Sequence, residues 1–205
     1  MRRQVRWWVV LVHVAAWLPL VLTAWSLWRG TLSVDPIREV TLRTGRVAAV
    51  MLGLTLACTP AAMLTGYGPV RRLRKPLGLY AALYAVLHLA VFVVWDYGLQ
   101  FDLIWFELRA KRFLQVGLPA VLILAVLALT STRGWMRRLG RGWRWLHRSV
   151  YLAGLLAALH YLWTVKTLRP APLVYVAVMV VLLAMRILVL QRAIRRLRSK
   201  SHKLG

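Results

Sequence analysis

Six stretches of this chain are apolar for about the length a helix needs to cross a bilayer, and basic residues separate them. At ~1.5 Å of rise per residue, about 20 apolar residues span a hydrocarbon core of ~30 Å. The runs are approximately Trp7–Trp28, Arg46–Leu64, Leu77–Trp95, Leu114–Thr130, Ser149–Thr164 and Leu173–Leu190. Hydrocarbon offers backbone N–H and C=O groups no partner, so each run must satisfy its own, which a helix does. The pattern predicts an all-α integral membrane protein, a six-helix transmembrane bundle forming a single domain over 1–205. Composition agrees: 60% of residues are hydrophobic, and the mean hydropathy of +0.63 is too high for a soluble domain of this size. The first run is longer than a signal-peptide core and lacks a small-residue cleavage site, so it is expected to remain as a helix.

The charges between the runs predict orientation. Arg2, Arg3 and Arg6, then Arg71–Lys75, then Arg133–Arg144, then Arg192–Lys203 place 18 basic residues and no acid on one side. The other three segments hold 8 basic residues and all five acids: Asp35, Glu39, Asp96, Asp102 and Glu107. An excess of Lys and Arg marks the cytoplasmic face, so the N and C termini are both expected inside. A net charge of +24 otherwise suggests nucleic acid. Here the basic clusters alternate with spans and match no recognition module, so anionic lipid headgroups are the expected partners and nucleic acid is not. Tryptophans fall near predicted interfaces, with only Trp17 clearly mid-span. Cys58, the one cysteine, reads as a small buried hydrophobe. The sequence offers no evident internal repeat, Gly-rich dinucleotide fingerprint or phosphate loop. The loop 96–113 can hold a short interfacial helix around Ile104, Trp105 and Leu108, and Asp35-Pro36 reads as a turn.

Chemistry must then come from polar groups within the spans. An ionisable side chain in hydrocarbon is expensive and usually marks a functional path. His88 lies in GLYAALYAVLHLAVFVVW and His160 in SVYLAGLLAALHYLWT. Both helices run outward, which puts the two imidazoles at similar depth, roughly 10 Å from the outer helix ends. Ala85 and Ala81 precede His88 by three and seven residues, as Ala157 and Ala153 precede His160, so each histidine has a small-residue strip on its own face. Such strips serve close helix packing, and they also leave clearance for a flat macrocycle. Two imidazoles from two helices can hold a haem iron from both faces. His88 and His160 are therefore expected to share the iron of a b-type haem, with Ala85 and Ala157 flanking the ring. Arg46 is a candidate counter-charge for a haem propionate. His147, about 20 Å lower on the fifth run, is the candidate ligand of a second haem. His13 is the only other intramembrane histidine, and His202 is expected to be solvated in the basic tail.

The segments DPIREVTLRTGR (35–46), LHLA (87–90), TSTRGWMRRLGRGWRWLHRSVYL (130–152) and HYLWTVK (160–166) resemble the MsrQ (YedZ) family. These are haem-binding membrane subunits of the bacterial periplasmic protein-methionine-sulfoxide reductase system. The chain is more distantly similar to the ferric-reductase-like transmembrane domains of NADPH oxidases. The resemblance implies electron transfer across the bacterial inner membrane through b-type haem. The acceptor it implies is a periplasmic molybdopterin-containing catalytic subunit that repairs oxidised methionines. It also implies quinol or a cytosolic flavin reductase as donor, FMN as a cofactor, and a haem association for His88, His147 and His160. The wider oxidase pattern has two histidines on each of the third and fifth spans. Here the third span has His88 alone, a departure that bears on any second haem.

Two imidazoles on one iron leave no open position, which suits a redox subunit without substrate chemistry of its own. The competing class is a small proton-coupled transporter or channel using the intramembrane histidines. It calls for acids within the spans and repeat symmetry, neither of which the sequence offers.

Overall fold

The structure, a computed structural model, describes residues 2–164 and 170–201, with side chains for 7–164 and 170–186. Lys166, Arg169 and His202 lie outside the described residues, as do the side chains of Arg2, Arg3, Arg6 and of the basic run Arg192–Lys203. All described elements are helical. They are α1 (Arg2–Trp28), α2 (Pro36–Leu64), α3 (Arg74–Ala90), α4 (Phe101–Ala110), α5 (Arg112–Leu129), α6 (Arg133–Leu139), α7 (Arg141–Leu146), α8 (Val150–Thr164) and α9 (Pro170–Ser201).

Among the described residues, four helical stretches are long and apolar enough to cross a membrane: Trp7–Trp28, Pro36–Leu64, Gly68–Asp96 and Arg112–Leu129. The fifth and sixth expected runs are also helical. However, α8 has 15 residues, or ~22 Å, and Pro170–Arg186 is the apolar part of α9 with described side chains. The surface is that of a membrane protein. Only 11% of the apolar window of α1 is buried, and Trp7, Leu11, Val14 and Leu18 stand more than half exposed. Aqueous solvent would not tolerate so continuous an apolar belt, whereas hydrocarbon matches it.

Helix α2 starts at Pro36, ten residues before the expected Arg46. The Asp35-Pro36 pair is a helix start rather than a free turn. Asp35 Oδ1 accepts the Arg38 N–H at 3.0 Å, Pro36 occupies the first turn where no N–H is needed, and Glu39 follows at the positive helix end. With 29 residues, or ~43 Å, α2 exceeds the hydrocarbon thickness, and its first turns form a shoulder beyond it. The expected interfacial helix is present as α4, with Arg109 over the Trp105 ring at 4.7 Å. The loop after α5 folds into α6 and α7, which the hydropathy pattern did not reveal. Thr132 caps α6 by accepting the Trp135 N–H, and Gly140 at φ 48° separates the two helices.

The centre is built from two helix pairs. α2 packs along α3 and α5 packs along α8, with α3 joining the pairs through α5. α9 closes over α8 and α2, while α1 leans on α2 and α3. Leu52, Ala81, Ala153 and Met179 are fully buried where these helices meet. Gly154 lets α8 approach closely, since a Cβ there would lie 2.6 Å from Met179 Cε. Pro19 removes one backbone bond from α1, and the nearby Ala16 carbonyl accepts the Tyr84 hydroxyl of α3.

Candidate functional site

His88 sits on the last turn of α3, just before the helix widens into a π turn over Val91–Asp96. Such turns recur at functional positions because they re-aim side chains. His160 sits near the end of α8. Their ring centres are 6.0 Å apart, with planes at 84°. α3 and α8 are not close-packed neighbours, so the two rings meet across a gap that α2 and α5 flank.

Each ring is fixed from behind in the same way. His88 Nδ1 donates to the Thr41 carbonyl of α2 at 2.9 Å, and His160 Nδ1 donates to the Phe113 carbonyl of α5 at 2.8 Å. Only the Nδ1–H tautomer suits an acceptor carbonyl, which leaves each Nε2 with a free lone pair. In a helix, the carbonyl of residue i points at residue i+4, whose Cβ would normally crowd it. Here residue i+4 is glycine in both helices. A Cβ on Gly45 would lie 3.1 Å from His88 Nδ1, and one on Gly117 would lie 2.4 Å from His160 Nδ1. The two glycines clear the path by which each imidazole reaches a helical carbonyl.

The two half-sites repeat one another. Thr41, Gly45, Ala85 and His88 correspond to Phe113, Gly117, Ala157 and His160 by a constant shift of 72 residues. The same shift pairs buried Ala48 with Ala120, Leu52 with Leu124, and Ala81 with Ala153. An internal repeat therefore exists where the sequence alone suggested none. Exposed Leu83 and Leu155 also match, but most lipid-facing positions differ, which hides the repeat. The glycines were missed as site residues. Their signal was the equal spacing from each glycine to its histidine.

Two ring nitrogens can hold one metal ion between them. Metal–nitrogen bonds of about 2.0–2.1 Å, plus roughly 1.1 Å from ring atom to ring centre, give a centre-to-centre distance of about 6.2–6.4 Å for rings on opposite sides of an ion. The observed 6.0 Å fits. No third His, Cys, Asp or Glu joins the pair among the described residues. A bare ion would thus lack ligands. A planar macrocycle bringing its own four nitrogens would complete the coordination, and the residues present fit such a group.

The other predicted residues are placed as follows. Ala85 is buried and Ala157 half-buried on the histidine faces, while Ala81 and Ala153 one turn further are filled by helix packing. Arg46 is exposed and follows Gly45, at the level of His88 and ten residues inside α2 rather than at its start. His147 is not brought to the pair. It lies in a 3-10 turn before α8, stacked on Trp143 at 4.0 Å, with Nε2 3.2 Å from Thr130 Oγ1. Trp143 Nε1 in turn donates to the Thr130 carbonyl at 2.9 Å, so His147 and Trp143 together brace the α6–α7 loop against the end of α5. Burial and then the nearby Arg74 charge hold the His147 imidazole below the usual histidine range. His13 on α1 bonds the Tyr80 hydroxyl at 2.7 Å. Cys58 is buried, as expected.

The arrangement is that of a ferric-reductase-like membrane component, and comparison with known proteins agrees. The family described as ferric reductase like transmembrane component matches residues 44–158. The protein-methionine-sulfoxide reductase heme-binding subunit MsrQ of Xanthomonas axonopodis pv. citri is 43% identical over 183 residues, covering 86% of this chain and 84% of that protein. The protein of the same name from Xanthomonas oryzae pv. oryzae is 42% identical over 182 residues, with the same coverage. The chain belongs to the ferric-reductase-like transmembrane family and, within it, to the MsrQ family.

Proposed function

We propose that this protein is the membrane electron-transfer subunit of a methionine-sulfoxide reductase system, with His88 and His160 ligating the iron of one b-type haem. The observation that carries the reading is the matched imidazole pair, each Nδ1 tied to a helical carbonyl and the rings 6.0 Å apart. The relatives, named as haem-binding subunits, support it. A haem held by His88 and His160 would supply a one-electron couple, suited to electron transfer without substrate chemistry. The chain's own residues do the rest. Thr41 and Phe113 fix the tautomer and raise the basicity of each ligand. Gly45 and Gly117 admit the rings, and Ala85 and Ala157 leave room beside them. Arg46 offers its charge to a propionate at the level of His88. His147 braces the cytoplasmic loop, and only a second haem would engage it.

The electron acceptor in this reading is a periplasmic molybdopterin-containing catalytic subunit, and the donor is the quinone pool or a cytosolic flavin reductase. FMN enters through the family resemblance alone, and no residue is assigned to it. The purified membrane protein is expected to show a reduced-minus-oxidised spectrum with b-type Soret and α bands. Protein without those bands, at full helical content, would refute the reading.

We further propose a single six-helix domain in the bacterial inner membrane, α8 and α9 included, with both termini and the loops around Arg72 and Arg138 cytoplasmic. The support is the 18-to-8 partition of basic residues. Reporter fusions at Arg138 should report the cytoplasm, and fusions in α4 the periplasm. The reverse result would invert the topology and put the histidine pair near the inner face.

A further inference from the structure

Arg74 opens α3, and Arg186 lies 17 residues into α9, yet the two line one cleft where α2, α3, α8 and α9 converge. Thr55, Thr59 and Tyr151 line it with them, and Leu182 supplies an apolar wall. The Arg186 guanidinium lies over the Tyr151 ring at 5.6 Å, which orients it without neutralising it. Both arginines are half-buried. Among the described residues the two ion pairs are Arg43–Glu39 and Lys111–Glu107, and all five acids fall in the segments at the opposite end of the bundle. Two guanidiniums thus share one cleft with no carboxylate within reach. Helix packing holds them together against mutual repulsion, which an anion would relieve.

We propose that Arg74 and Arg186 form a binding site for the headgroup phosphate of an acidic phospholipid. A guanidinium presents paired N–H groups that match phosphate oxygens, and basic pockets between membrane helices suit acidic headgroups. The cleft holds about 10 Å³, the room of a single water, so no ring system enters it. A phosphate on a flexible ester docks at its mouth instead. The acyl chains then run along α9, where Val178 and Val181 are exposed beside Leu182. Arg71 and Arg72, close by in sequence, are exposed and make no part of the site. Nothing in the assignment depends on which face of the membrane the cleft occupies or on the haem.

The test uses the full chain in lipid nanodiscs. In phosphatidylcholine discs, stepwise phosphatidylglycerol is expected to raise the thermal midpoint along a saturating curve, with one phosphatidylglycerol retained per chain in native mass spectrometry. Arg74→Gln/Arg186→Gln should weaken that retention by about 10- to 150-fold, as expected for losing charge-assisted bonds. Arg71→Gln/Arg72→Gln removes equal charge and should keep it. A non-saturating response of the unaltered protein overturns the site, and so does equal weakening in the two double variants. Inorganic phosphate giving the same protection in phosphatidylcholine discs would assign the cleft to a soluble phosphate and overturn the lipid.

Discussion

Replacing either His88 or His160 with alanine is expected to remove the same haem. One iron shared by two helices loses half of its protein ligation in either variant. Loss of a mere supporting partner behind a metal ligand lowers affinity 10- to 100-fold. Loss of the ligand itself should exceed that, so haem per protein at matched membrane expression falls from about one to near zero in both variants. His147→Ala is expected to leave that haem and its spectrum in place, because His147 is engaged with Trp143 and Thr130. Full haem with an unchanged spectrum in His88→Ala or His160→Ala would break the pairing. The same loss in His147→Ala would move a ligand to the other end of α8.

Gly117→Ala should be nearly as damaging, although residue 117 supplies no ligand. At an ordinary helical position the change would stabilise the helix by about 1 kcal/mol. Here the new Cβ would lie 2.4 Å from His160 Nδ1, and the ring must leave the Phe113 carbonyl. A lost hydrogen bond of about 1 kcal/mol and overpacking of about 1–3 kcal/mol correspond to roughly 30- to 1,000-fold weaker haem binding. Gly45→Ala is expected to be milder, about fivefold, since its Cβ would stand 3.1 Å off and His88 can yield by a few tenths of an ångström. In Gly117→Ala any haem that remains should have a raised midpoint potential. An imidazole stripped of its Nδ1–H bond is a poorer donor and stabilises the ferric state less. Unaltered occupancy and potential in Gly117→Ala would show that the glycine serves helix packing alone.

The contrast between these variants shows how much could be read in the sequence. His88 and His160 were visible because an imidazole in an apolar run is chemically conspicuous. Gly45 and Gly117 were not, because glycine in a membrane helix is common and its purpose depends on what approaches it. The start of α2 was misplaced for a related reason. Hydropathy marks where hydrocarbon begins, whereas Asp35 and Pro36 set the helix start by capping, well before the apolar run. The α6 and α7 helices escaped because their arginines and tryptophans carry no apolar period of spanning length.

By itself, the sequence determined the solvent and the helical class, and singled out the two intramembrane imidazoles proposed as haem ligands. Those follow from composition along the chain, since about 20 apolar residues in hydrocarbon must be helical wherever their neighbours lie. Only the tertiary structure decided the rest. It brought His88 and His160 to 6.0 Å, kept His147 apart, and made one half-site of α2 with α3 and the other of α5 with α8. It also set Arg186 beside Arg74 across more than a hundred residues of chain. Periodicity fixes which face of each helix is apolar. Which helix that face meets, and at what depth, is settled by close contacts at a few small residues.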